Sequence, residues 1–312
     1  MARAQGARAQ LALAFETTYG TSPASGYMQM PFATASLGAE QPLLSNELLG
    51  YGRDPLAPML DAVTADGSVV VPIDTEAFGL WLKGAFGAPV TTGTGPYTHV
   101  FNSGSWSLPS LSIETGLPEV PSYAMYGGCM VDKIGWQMAR SGLLTANVDL
   151  IAQGETLATT SGAGTPAPVA LKRFGHFNGS LTRNGADIGN IVGAELSYAN
   201  NLDRVETIRA DGKIEGADPS IAAMTGKIDV RFADTTLLTQ AINNTECSLE
   251  FGYSLPTGES LSVAVHRVFL PRPRREIQGP QGVQVSFNWQ AAQQADGTPM
   301  VTVTLTNNVE SY

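Results

Sequence analysis

Apolar and polar residues alternate along most of this chain. The period of two is cleanest at residues 300–306 (MVTVTLT), 249–255 (LEFGYSL), 261–265 (LSVAV) and 283–289 (VQVSFNW), and partial at 146–152 (ANVDLIA). Successive strand side chains point to opposite faces, so each segment predicts a strand with one buried face. Residues 68–73 (SVVVPI) form a short, β-branched and apolar run that also reads as a strand. Turn pairs punctuate these segments at Asp66-Gly67, Asn184-Gly185, Asp211-Gly212 and Asp296-Gly297. Two stretches break the alternation and read as helices. Residues 75–86 follow Asp74 as N-cap and place Phe78, Trp81, Leu82, Ala85 and Phe86 on one face; residues 235–243 follow Asp234, with Leu237, Leu238 and Ala241 inward.

The two helices sit in matching contexts. Gly52-Arg53-Asp54-Pro55, a turn at 64–67, the strand SVVVPI and the Asp74 cap answer Gly216-Ala217-Asp218-Pro219, Met224-Thr225-Gly226, the strand KIDVRF and the Asp234 cap. Further on, residues 110–113 answer 260–263, 133–137 answer 285–290, and 143–153 answer 299–308. Five ordered blocks predict a tandem duplication of one mostly-β unit carrying one helix. The joint falls in residues 155–168 (ETLATTSGAGTPAP), whose small and polar composition is that of a linker. The expected division is a first unit over 1–155, a linker over 156–168 and a second unit over 169–312.

Composition narrows the function classes. Charged residues are 15% of the 312, with 18 Lys+Arg against 28 Asp+Glu, a net charge of −10. A phosphate-gripping nucleic-acid binder needs the opposite excess. Hydrophobic residues at 43% argue against disorder. Cys129 and Cys247 stand far apart and form neither a disulfide framework nor a metal site; they read as small buried hydrophobes in a reducing cytoplasm. The apolar run at 11–15 is too short for a signal-peptide core, and no apolar stretch is long enough for a membrane helix, so no membrane insertion by a helix is expected.

The search for chemistry returns no catalytic, metal or cofactor site. His99, His176 and His266 lie outside any two-histidine metal spacing, and neither a phosphate loop nor a Gly-x-Ser-x-Gly elbow is present. Asp132 with Asp149, or Glu195 with Asp203, are carboxylates of the kind glycosidases pair, against a stronger expectation of solvated strand positions. Trp81, Trp136 and Trp289 are weighed as a sugar platform against core packing, and core packing is favoured. The basic run Arg272-Pro273-Arg274-Arg275 reads equally as a grip for a partner's anionic groups or as an exposed, proline-braced loop.

Several stretches resemble the tail tube proteins of long-tailed bacteriophages, the siphophages. They are Gly26-Tyr27 through residues 37–43 (LGAEQPL) and 48–55 (LLGYGRDP), residues 108–114 (LPSLSIE) with 117–121 (LPEVP), residues 198–212 (YANNLDRVETIRADG), and 268–272 (VFLPR). The resemblance covers nearly the whole chain and its motifs are structural, so it carries over no active site. It implies two tandem β-sandwich or barrel units, each with one flanking helix, and a homotrimer that makes a pseudo-sixfold ring. Stacked rings form the tube, a conduit for DNA ejection, in a virion tail assembled in the host cytoplasm. Tape measure, tail terminator and distal tail proteins are the implied partners, with DNA passing transiently. An acidic balance suits a lumen whose walls repel phosphates. The competing readings are a carbohydrate-binding or hydrolytic β-sandwich of a tail fibre, and a secretion-system tube of similar fold.

The long segments 43–65 and 200–224 exceed ordinary hairpin connections and carry apolar groups that a free loop would not expose. They are expected to reach neighbouring subunits, foremost the next ring. The contact candidates in the first are Leu48, Leu49, Tyr51, Arg53, Asp54, Leu56 and Met59. In the second they are Asp203, Arg204, Glu206, Ile208, Arg209, Asp211 and Ile214, with Ile221 beyond. Their mixed charges suit a docking register. No lumen-facing residue is assigned.

Overall fold

The computed structural model describes residues 3–274, 277, 279–280 and 282–312, and it is mostly β, with 47% strand and 7% helix. In chain order the first half holds β1 (Gln10–Phe15), β2 (Met28–Gln29), β3 (Thr34–Ala35), β4 (Gly38–Glu40), β5 (Leu43–Asn46), β6 (Leu56–Leu60), β7 (Thr64–Pro72), α1 (Phe78–Phe86), β8 (Val90–Thr92), β9 (Tyr97–Asn102), β10 (Leu111–Leu117), β11 (Ser122–Met138), β12 (Thr145–Ala152) and β13 (Gly154–Ala158). The second half holds β14 (Ala167–Pro168), β15 (Gly179–Arg183), β16 (Ala186–Asp187), β17 (Ile191–Ala199), β18 (Asp203–Val205), β19 (Gly216–Asp218), β20 (Ala223–Arg231), α2 (Thr236–Ile242), β21 (Cys247–Ser254), β22 (Ser260–Phe269), β23 (Gln284–Ala291) and β24 (Val301–Asn307).

Pairing in the first half runs β1–β10, β10–β11, β11–β13, β11–β12, β12–β7, and β7 with β3 and β4. In the second half it runs β15–β21, β21–β22, β22–β24, β22–β23, β23–β20, and β20 with β17. Every one of these ladders is antiparallel, and the same six neighbour relations occur twice in the same chain order. The halves are joined by β11–β17, β9–β24 and the short parallel pair β2–β14. One hydrophobic core runs through both, from Leu11 to Leu305.

The later sequence blocks do not fall on corresponding strands. Leu111 and Ile113 lie in β10, whereas Leu261 and Val263 lie in β22, which takes the place of β11. Residues 133–137 and 285–290 are likewise one strand apart, as are 143–153 and 299–308. The cause is the hairpin β8–β9, inserted between α1 and β10, where the second half passes from α2 to β21 directly. Short alternating strands look alike, so a count made along the sequence slips by one. Residues 155–168 are also tied down. Residues Gly154–Ala158 pair with β11, and the Glu114 carboxylate accepts from Ser161 Oγ (2.6 Å) and the N–H groups of Gly162 (2.6 Å) and Ala163 (3.1 Å).

Both helices form close to where the aspartates place them. Asp74 Oδ1 accepts the N–H groups of Glu76 (2.7 Å) and Ala77 (2.6 Å), and Asp234 Oδ1 accepts that of Thr236 (2.8 Å). The helix α1 is buried nearly all round rather than on one face, with only Lys83 half-exposed and its ammonium 4.2 Å from the Phe15 ring centroid. Gly84 permits that depth: a Cβ there would meet Val131 Cγ2 at 2.9 Å.

Asp74 itself carries a pH dependence. Its side chain is fully buried, and Oδ2 has no hydrogen-bond partner. Burial outweighs the backbone hydrogen bonds and pushes its pKa from 3.8 up to about 6. Across that interval the folded chain holds a proton that the unfolded chain has lost. The stability this group contributes is therefore complete below about pH 4 and disappears as the pH rises through about 6, a swing of up to ~3 kcal/mol. Asp74→Asn should remove this component, which urea unfolding from pH 4 to 7 will show as a flatter profile than wild type; parallel profiles would count against it.

Candidate assembly surfaces

The hairpin β5–β6 stands apart from the main sheet. It forms a two-stranded ladder of its own, with Leu43 opposite Leu60 and Leu44 opposite Met59. Its base is closed by Asp61 N–H to the Pro42 carbonyl (3.0 Å) and Gln41 Nε2 to the Asp61 carbonyl (2.7 Å). An isolated two-stranded hairpin is marginal in water, and this one exposes apolar groups on both faces. Leu49 is 94% exposed and Tyr51 68%, while Leu48, Met59, Arg53 and Asp54 are also exposed and Leu56 is half-buried. Gly50 and Gly52 turn the tip at φ of 92° and 100°, conformations that L side chains rarely adopt.

The second long segment behaves differently. Leu202 and Ile214 pack against a small cluster of Met130, Ile151 and Ala217. Arg204 forms an ion pair with Asp66 in the first half, and the Val63 N–H donates to the Gly212 carbonyl (2.9 Å). Arg209 holds Asp211 in a two-pronged local pair, at 2.9 Å from both Nε and Nη2, which depresses the Asp211 pKa. Asp203 and Glu206 are exposed, and Ile208 projects fully into solvent, as Ile221 nearly does. This segment thus lies largely on its own chain, with apolar points left outward.

A third surface was not assigned from the sequence. Strands β3 and β4, β7, β12, β11, β17, β20 and β23 follow one another in one antiparallel ladder. One face is dry: Val69 and Val71, Val148, Ile134, Leu196, Ile228 and Phe287 are all buried. The other carries Ser68, Asn147, Gln137, Ser197, Thr225, Asn288 and Gln290. Its charged members are Glu40, Asp66, Asp149, Glu195 and Asp229 against Lys133, Lys227 and Arg231, five against three. Lys227 pairs with Asp229 at 3.1 Å, and Asn147 Nδ2 donates to Asp149 Oδ1 at 2.5 Å. Alternation along β23, and in part along β12, was the signal for this face.

The other candidate chemistry resolves into structure. Trp81, Trp136 and Trp289 are buried, and Trp136 Nε1 donates to the Tyr253 hydroxyl (3.2 Å). Asp132 Oδ1 accepts the Leu202 N–H (2.8 Å). His99 is buried, with Nδ1 2.9 Å from Thr91 Oγ1 and Nε2 donating to the Val309 carbonyl (2.9 Å). Both cysteines are buried and unpaired. Among the described residues no group of three metal-ligating side chains comes together, and no helix is long and apolar enough to cross a membrane. Arg272 and Arg274 are exposed; Arg275 lies outside the described residues. Sequence reading missed Glu16, whose carboxylate accepts from Ser110 Oγ (2.8 Å), Ser112 Oγ (2.7 Å) and the N–H groups of Gly20 and Gly128 (2.8 Å each). No pattern marks such a residue, because its partners are scattered over the chain.

No curated protein matches this sequence. Among solved structures, the toluene transporter TodX of Pseudomonas putida aligns at 11% identity over 96% of this chain and 87% of its own, with a TM-score of 0.11, too low to carry an argument. The model of one protein family matches residues 6–291, almost the whole length, and places the chain in the phage tail tube protein family.

Proposed function

We infer that this chain is a duplicated siphophage-type tube subunit, that three copies close a pseudo-sixfold ring, and that rings stack into the conduit for DNA ejection. Membership of the family makes it a structural component of a virion tail. The observation that carries the duplicated form is the double occurrence of six antiparallel neighbour relations in one chain order. Two units per chain divide a sixfold ring into three chains. Assembly is from identical subunits in the host cytoplasm, with tape measure, terminator and distal tail proteins meeting the lumen and the tube ends.

The polar face of the long ladder is the surface this reading turns toward the lumen. An acidic wall was expected, yet that face holds five acids against three bases, and its remaining groups are mostly hydroxyls and amides. Most of the net charge of −10 lies elsewhere. On this account DNA slides because no cluster of unpaired cations meets its phosphates, not because a strong negative field repels it. Electron microscopy with mass measurement of purified rings tests the assembly. Three chains per layer are expected, about 98 kDa from the 32.8 kDa chain mass (three times 32.8). Six chains per layer would overturn the stoichiometry, and a protein that stays monomeric under all assembly conditions would overturn the ring.

A further inference from the structure

The junction between the halves is a template. There the tail of the long strand β11 pairs with β17, from Lys133 opposite Ala199 to Met138 opposite Ala194. By its neighbours, β22 stands in the second half where β11 stands in the first, and β3–β4 stand where β17 does. These reciprocal elements are open. Among the described strands β3 and β4 pair with β7 alone, and the ladder of β22 with β23 stops after Phe269 opposite Gln290.

The register can be counted. The last β10 contact on β11 is Leu111 opposite Cys129, and the β17 contacts begin four residues later at Lys133. The last β21 contact on β22 is Cys247 opposite Val268, so the counterpart of Lys133 is Arg272. On the other strand, burial fixes the match of β20 to β7: Met224, Ile228 and Val230 correspond to Ala65, Val69 and Val71, all buried. Ala199, opposite Ala223, then corresponds to Glu40, opposite Thr64, and buried Leu196 corresponds to buried Leu37. Arg272 and Glu40 are both exposed, and no ion pair among the described residues involves Glu40, Arg272 or Arg274.

We propose that a second copy of this chain occupies the open edge: residues 270–274 of one chain pair antiparallel with residues 38–40 of the next, with Arg272 opposite Glu40, Pro273 opposite Ala39 and Arg274 opposite Gly38. The contact repeats between chains the junction that β11 and β17 make within one. Opposite charges meet directly across the strands. Pro271 takes the place of Asp132, the residue skipped at the bulge where β11 shifts register on β12, a position where proline is tolerated. Pro273 replaces Ile134 and only accepts, which leaves the new ladder one hydrogen bond short. Each chain offers one tail and one edge, so the contact is heterologous and closes into a ring. The edge groups that would otherwise template aggregation are thereby covered.

This proposal rests on the ring reading, and one experiment separates them. The double variant Glu40→Cys with Arg272→Cys is assembled and oxidised beside each single variant and an internal control, Lys133→Cys with Ala199→Cys. The counted position falls between hydrogen-bonded pairs, where opposed residues come closest. Covalent dimers and trimers on a denaturing gel are expected from the double variant alone, while the control cross-links within one chain. If wild type forms no rings, the ring reading fails. If rings form and the control cross-links but the double variant stays monomeric on the gel, this register is wrong. Charge reversal gives a second readout: Glu40→Arg should lower ring yield at least tenfold, and adding Arg272→Glu should restore it. Equal yields from single and double reversals would overturn the pairing.

Discussion

Replacing Leu48 and Leu49 together by serine should leave the isolated chain folded and stop tube growth. Both side chains lie at the tip of β5–β6, a hairpin outside the main sheet, and Leu49 is 94% exposed. Exposed substitutions away from caps and cores usually change stability by less than ~0.5 kcal/mol, so the melting temperature should hardly move. Assembly is another matter. Each leucine buried at a contact contributes roughly 1.5–3 kcal/mol, and in the proposed ring every chain would repeat the loss. Sedimentation reads the result: wild type pellets as tubes, and the variant stays in the supernatant with wild-type circular dichroism. Normal pelleting by the variant would remove this hairpin as the stacking element. The matching substitution Ile208→Ser is expected to act more weakly, since the segment around it is held to its own chain by Arg204–Asp66 and by Ile214 packing.

The contrast between these two segments marks where sequence reading reaches its limit. Alternation located β21, β22, β23 and β24, and in part β12, because a half-buried strand repeats every two residues. Asp74 and Asp234 located the helices because such a carboxylate accepts the free N–H groups two or three residues on. Both signals are local. What the sequence concealed is relational. Whether Ile214 packs at home or Ile208 points away depends on Met130 and Ile151, more than fifty residues distant. The inserted hairpin β8–β9 has the same local pattern as any other pair of strands, so the repeat could be recognised while its later blocks were matched one strand out. The segment 155–168 has a linker's composition, yet Glu114 orders it, and one carboxylate on another strand leaves no trace in the composition of what it binds.

Tyr312→Ala should cost about 2–4 kcal/mol, and its effect should be strongly coupled to Gly79. The Tyr312 ring fills the notch left by the missing side chain of Gly79 in α1, where a Cβ would overlap the ring. Its hydroxyl donates to the Glu76 carbonyl (2.7 Å) and accepts from Asn307 Nδ2 (2.7 Å). The ring also stands edge-on to His99 at 4.7 Å between centroids. The residue thus ties the segment after β24 to the first turn of α1, across the two halves. Truncation removes an aromatic side chain from a packed site and strands part of a polar network. Gly79→Ala should be comparably damaging alone, because the new methyl expels the ring. In the Tyr312→Ala background the sign should reverse: the notch is then empty, and alanine in a helix is favoured over glycine by up to ~1 kcal/mol, less in the first turn than in the interior. A double-mutant cycle by urea denaturation measures this directly, and an interaction energy of ~2 kcal/mol or more is expected. Additive costs within ~0.5 kcal/mol would mean that the ring and the helix do not depend on one another.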